Sequence, residues 1–139
     1  MSLQDRVNSL LAAVPYIRFL GMEAEIDGSD VLTCVLPFQE KLVGNTMLPA
    51  LHGGVIGAFM EMTALTDLSL RAPEGAKRPR TIDVTIDYLR PGRAKTTFAR
   101  AKVQKAGRRI ASVHVEAWQE DPAKPVAALR GHFMLAFDD

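Results

Sequence analysis

Leu51-His52-Gly53-Gly54-Val55-Ile56-Gly57-Ala58-Phe59-Met60-Glu61-Met62-Thr63-Ala64-Leu65 is the stretch whose reading decides the fold. It predicts a helix apolar on nearly every face, and such a helix must be buried on nearly every face. Between Gly54 and Ser69 the only charges are Glu61 and Asp67. The residues three and four positions from Glu61 are Gly57, Ala58, Ala64 and Leu65, none of which can pair with a carboxylate. Burying an ionised carboxylate without a partner is costly, so the group either takes a raised pKa or has a purpose. At the other end, His52-Gly53-Gly54 leaves the first free backbone N–H groups of the helix unobstructed, a place for developing negative charge. A positive helix terminus and a destabilised carboxylate on one element predict a catalytic helix.

The flanks supply strands. Leu3 to Val14 carries apolar residues at helical spacing and is terminated by Pro15, after which Phe19-Leu20-Gly21 reads as a turn. Met22 to Ile26 and Val31 to Leu36 are short strands joined by Asp27-Gly28-Ser29-Asp30. Pro37 to Leu51 has no period, and the helix ends before Pro73-Glu74-Gly75. Beyond it, Thr81 to Tyr88 alternates without a break, polar at odd and apolar at even positions, as a strand with one face on a core does. Further strands are read at Thr96 to Val103, Ile110 to Gln119 and Val126 to Phe137, with turns at Arg90-Pro91-Gly92-Arg93 and Lys105-Ala106-Gly107-Arg108. About six strands with hairpin-length connections predict an α+β fold, an antiparallel sheet curved around one long buried helix. Its two edges need cover, and pairing two copies edge to edge supplies it.

A chain of 139 residues, 47% hydrophobic and 24% charged, fits one domain spanning residues 1–139. A net charge of +1 gives no support for nucleic-acid binding. The single cysteine, Cys34, excludes an intrachain disulfide and a cysteine-based zinc site. No apolar run approaches the roughly 20 residues that cross a membrane. The N-terminus lacks the layout of a signal peptide, so a soluble, cytoplasmic protein is expected.

Four features together resemble the hotdog-fold thioesterases of the phenylacetate-pathway, PaaI-like group. They are His52-Gly53-Gly54, the acid nine positions after the histidine at Glu61, the strand ending Thr85-Ile86-Asp87-Tyr88-Leu89-Arg90-Pro91-Gly92, and the strand pair around Lys105-Ala106-Gly107-Arg108. The resemblance covers nearly the whole chain. It implies hydrolysis of acyl-CoA thioesters, with coenzyme A as part of the substrate and no separate cofactor or metal. It also implies that the Gly53 N–H polarises the thioester carbonyl and that Glu61 activates water or attacks the carbon. A loop asparagine, Asn45, places the water or carbonyl, and a hydroxyl at the start of the next strand, Thr81, assists. The chain departs from the family pattern twice. Many members carry Asp where this chain has Glu61, and Asn45 lies seven rather than six residues before the histidine, so it needs a one-residue bulge to reach the site.

The chemistry is self-sufficient. A backbone N–H aimed at the developing oxyanion contributes on the order of 3 kcal/mol in a dry site, a helix carboxylate serves as base, and thiolate leaves without strong acid assistance. His52 reads as a helix cap or a substrate contact, and Gly54 as a tight helix entry or part of the anion site. Arg90, Arg93, Lys105, Arg108 and Arg109 sit at two turns, where they are either solvated or hold coenzyme A phosphates. Met47, Met60 and Met62 are core or an acyl pocket. His114 and His132 read as structural. The rival readings are a hotdog enoyl-thioester hydratase or dehydratase and a non-catalytic acyl-CoA-binding protein. Finally, eight residues separate Gly53 from Glu61, about 12 Å along a helix axis. One helix cannot present both to one thioester, so two antiparallel copies sharing two sites are expected, an arrangement the resemblance also implies, with dimers pairing into tetramers.

Overall fold

The computed structural model describes residues 2–45, 47 and 50–135. Helices α1 (Leu3–Ala12) and α2 (Pro15–Leu20) open the chain, followed by strands β1 (Glu23–Ile26) and β2 (Leu32–Leu36). A 3₁₀ turn at Glu40–Leu42 and the short strands β3 (Val43–Asn45) and β4 (Ala50–Leu51) lead into helix α3 (Gly53–Arg71). Four long strands complete the order: β5 (Arg80–Tyr88), β6 (Thr97–Ala106), β7 (Ile110–Trp118) and β8 (Ala127–Met134).

Ser2 and Asp5 form a capping box that starts α1. Pro15 does more than end that helix. It opens α2 from the first helical position, where its missing N–H costs nothing, and α2 runs through the expected turn until Gly21 closes it at φ 73°. Likewise the stretch from Pro37 to Leu51, aperiodic in sequence, folds into a 3₁₀ turn and the β3–β4 ribbon. The last strand stops at Met134, and Phe137 lies outside the described residues.

The main sheet has six antiparallel strands in the order β1-β2-β6-β7-β8-β5, with α3 packed on one face, the expected hotdog arrangement. Alternate residues of β7 and β8, among them Val113, Val115, Leu129 and Phe133, are fully buried and meet Phe59, Met60 and Ala64 of the helix. The helix is not buried on every face, however. Ala58, Glu61, Met62, Leu65 and Ser69 are half-buried and Gly54 is exposed. These residues form one stripe, at the three- and four-residue spacing that defines a helix face. Nor does β5 alternate without a break. Thr81 pairs with Phe133 and Asp83 with His132, so Ile82 is the extra residue of a β-bulge. β5 is also a sheet edge, and on it Ile82, Tyr88 and the following Leu89 remain exposed. Among the described residues, no helix is long and apolar enough to cross a membrane.

Asp67, on the buried side of α3, has the Arg71 guanidinium 3.5 Å away, and Arg71 also donates to the Asp30 carbonyl at 2.7 Å. Burial raises the Asp67 pKa, against the opposing pull of Arg71. The native state therefore holds this proton more tightly than the unfolded chain does. Stability falls as pH rises from the ordinary Asp value toward the raised one. Replacing Asp67 by Asn removes that component, so the stability of Asp67→Asn relative to the native chain should grow from acid toward neutral pH. Urea midpoints across pH 4–7 (roughly the window above the ordinary Asp value) measure it, and a constant or shrinking difference contradicts the assignment.

Candidate active site

Two short segments fix the start of α3. The Leu51 N–H donates to the Gly92 carbonyl at 2.8 Å and the His52 N–H to the Leu42 carbonyl at 2.9 Å. Gly44 lets β3 pass close by, since a Cβ there would lie 2.9 Å from the His52 Cα. His52 is the N-cap, its Nδ1 accepting the Gly54 N–H at 3.0 Å, and its carbonyl accepts from Val55 and Ile56. The Gly53 N–H has no acceptor among the described residues. The Gly53 carbonyl is held by the Tyr88 hydroxyl, which donates to it at 2.7 Å. A cavity of about 370 Å³, lined in part by Gly53, Ile56, Tyr88 and Arg90, opens beside this helix end. Gly53, Gly54 and His52 thus form one unit, with the donor of Gly54 used internally and that of Gly53 open.

Glu61 lies on the half-open stripe. It is not the buried, partnerless carboxylate that the helix sequence alone implies, because the Thr81 hydroxyl donates to Oε2 at 2.7 Å. The bulge makes this contact. In a regular strand Thr81 would face outward with Asp83, Thr85 and Asp87, and the extra residue Ile82 turns it back onto the helix side beside Phe133. Among the described residues Oε1 has no partner, which leaves it open to water or substrate.

Gly53 and Glu61 are held at opposite ends of β5, by Tyr88 and Thr81 respectively. Along α3 they are about 12 Å apart. Asn45 contributes backbone to β3, and the β3–β4 pairing does carry a one-residue irregularity between Val43 and Asn45. The Asn45 side chain lies outside the described residues.

The arginines divide into two groups. Arg90 donates to the Pro125 carbonyl at 2.6 Å. With Arg93, Lys95 and Lys124 it lines a cavity of about 550 Å³ near the start of α3. Arg108 and Arg109 are exposed at the far end of β6. A strand of that length spans about 30 Å, so one chain does not bring the two groups to one phosphate.

Of the methionines, Met60 is fully buried, Met62 lines a groove beside α3 and Met47 is 90% exposed. His132 Nδ1 lies 2.8 Å from Asp83 Oδ1 on the outer face of the sheet, a pair set by strand register that no sequence spacing reveals. No group of three or more metal-ligating side chains occurs among the described residues. Burial pushes the Cys34 thiol up to about 12, which removes it as a nucleophile at neutral pH.

Residues 48–126 match the thioesterase superfamily model. The medium/long-chain acyl-CoA thioesterase YigI of Escherichia coli is 31% identical over 122 residues, covering 78% of this chain and 77% of that protein. Among solved structures, a Chromobacterium violaceum protein superposes with a TM-score of 0.76 at 41% identity, over 96% of this chain and 93% of that one. A thioesterase from Haemophilus influenzae superposes with a TM-score of 0.81 at 25% identity, over 96% and 90%.

The close passage of β3 under His52 is directly testable. Gly44→Ala should cost about 1–3 kcal/mol by overpacking, because the nearest atom is backbone and cannot swing away. Gly28→Ala, where a Cβ meets nothing within 4 Å, serves as the control. Equal urea midpoints for the two variants would contradict the packing of β3 on the helix cap.

Proposed function

Because the chain belongs to the thioesterase superfamily, we propose that it hydrolyses acyl-CoA thioesters to free acid and coenzyme A. The observation that carries this reading is the 2.7 Å hydrogen bond from Thr81 to Glu61, which holds a carboxylate at the edge of an otherwise apolar helix. The relative's name points to medium or long acyl chains.

On this reading the thioester oxygen sits against the Gly53 N–H, which stabilises the charge growing there. Glu61, oriented by Thr81, accepts a proton from the attacking water, or attacks the carbon itself to form a mixed anhydride. Water then cleaves that anhydride, giving the free acid, the regenerated carboxylate and a proton. On either route the C–S bond breaks and thiolate departs with its electron pair, later taking up the proton. Asn45 and His52 orient water or carbonyl, and Gly54 shapes the anion site. The exposed apolar residues of edge strand β5 and the half-open stripe on α3 support a homodimer. In an antiparallel pair, each site takes Gly53 from one chain and Glu61 from the other, and two such dimers make a tetramer. That pairing also brings Arg90 and Arg93 toward Arg108 and Arg109 of the partner subunit, a shared basic rim for coenzyme A phosphates.

The test is thiol release from saturated acyl-CoAs. Glu61→Gln should lower turnover by about 10²–10⁴, the usual contribution of a positioned base, with an unchanged fold by circular dichroism. Thr81→Val should lower it roughly tenfold to a hundredfold, as expected for a hydrogen bond to a charged group, while Thr81→Ser retains most activity. A Glu61→Gln enzyme with a tenth or more of native turnover overturns the assignment. Hydration of enoyl-CoA without thiol release would mark a hydratase, and binding without turnover a carrier.

A further inference from the structure

Tyr88 ends β5 on the side of the strand that faces α3, the side it shares with Ile86. Register fixes its place, opposite Ala127 of β8. The next two residues, Leu89 and Arg90, both donate their N–H groups to the Val126 carbonyl, at 2.8 and 3.1 Å. The Tyr88 ring lies along the first turn of α3. A Cβ at Gly53 would stand 3.6 Å from its Cε1 and Cζ, and a Cβ at Gly57 would stand 3.3 Å from its hydroxyl. Gly53 and Gly57 are one turn apart on one face of the helix, so two missing side chains make the bed of this ring. The hydroxyl at its tip donates to the Gly53 carbonyl at 2.7 Å.

We propose that Tyr88 is a positioning residue, whose hydroxyl aims the Gly53 N–H at the thioester oxygen. The inference rests on the thioesterase reading and adds what keeps the donor in place. Glycine has the freest backbone of any residue, and helix ends fray, so a Gly-Gly pair at a helix start is poorly held by itself. A donor that wanders stabilises a developing oxyanion weakly, because the effect depends on preorganisation. Here the Gly53–Gly54 peptide is gripped at both ends. Its N–H goes to His52 Nδ1 at 3.0 Å, and its carbonyl takes the Tyr88 hydroxyl. In the preceding peptide the His52 carbonyl is held by the Val55 and Ile56 N–H groups at 2.9 and 3.2 Å. The other end of that peptide is the Gly53 N–H, which has no acceptor among the described residues. Of these contacts only the Tyr88 bond comes from outside the helix and its cap, so it ties the direction of the donor to the sheet.

Tyr88→Phe removes the hydroxyl and keeps the ring, at a residue 54% exposed, so the fold should stay intact by circular dichroism. With acyl-CoA substrates kcat should fall about three- to tenfold, the range for one hydrogen bond. KM should stay near native, because the lost stabilisation belongs to the transition state. The readout that a merely structural role leaves alone is infrared, on an acyl-CoA analogue with a methylene inserted between carbonyl and sulfur. The enzyme cannot cleave this ketone, and an isotope label on its carbonyl carbon singles out the stretch. The band should lie lower in native protein than in Gly53→Pro, which lacks the donor and tolerates proline at the first helical position. Tyr88→Phe should fall between the two. In the Gly53→Pro background Tyr88→Phe should move the band no further. A further move there means that the hydroxyl touches the carbonyl itself, and overturns the positioning role. A native band in the single variant, a native kcat, or a change confined to KM overturns it as well. No thiol release by native protein from any acyl-CoA removes the thioesterase reading, and the inference with it.

Discussion

The hydrogen bond between the Thr81 hydroxyl and the Glu61 carboxylate ties the helix to the sheet where the middle of an apolar element carries a half-buried charge. A carboxylate on such a helix needs a donor, and no residue within reach on α3 supplies one. The donor comes from the neighbouring edge strand, and only because a bulge at Ile82 turns Thr81 inward. Close approach of α3 and β5 is the second requirement. Gly57 meets it, since a Cβ there would stand 2.8 Å from the Ile86 Cδ1. At the other end the same strand holds the Gly53 carbonyl through Tyr88. One edge strand therefore fixes the helix at its start and at its middle.

The fold was largely legible in the sequence because its signals are local. Apolar spacing marks α1 and α3, alternation marks β5 as a strand, and turn residues separate the strands that follow. What escaped has a physical cause in each case. Pro15 permits a helix start as readily as it forces a stop, so α2 looked like a turn. The β3–β4 ribbon is too short to carry a period, with two residues in β4. The bulge is invisible because Thr81-Ile82-Asp83-Val84 alternates perfectly by residue type, while register depends on what β8 presents opposite. The open stripe of α3 was also hidden. Hydrophobic composition reads the same whether a side chain faces the core, a groove or another subunit.

For the site, the helix-start unit and the acid were readable from residue type and spacing, and the Thr81 role came from resemblance alone. The pairing of His132 with Asp83 was out of reach, since it joins residues 49 positions apart through strand register. The division of the arginines into two groups at opposite ends of β6 also needed the topology. Sequence placed them at two turns but gave no distance between those turns.

The separation of Gly53 from Glu61, about 12 Å along one helix, is the constraint with the widest consequence. A thioester carbonyl and its attacking water occupy a few ångströms, so on the proposed reading one chain cannot complete a site. The direct measurement is the activity of a heterodimer in which one chain carries Glu61→Ala and the other Gly53→Pro, purified through two tags. Shared sites concentrate both defects in one of the two sites, so the heterodimer should recover about half of native activity per dimer while each variant homodimer stays inactive. A heterodimer that is folded, paired and inactive would mean that each site is built from a single chain, and would contradict the account.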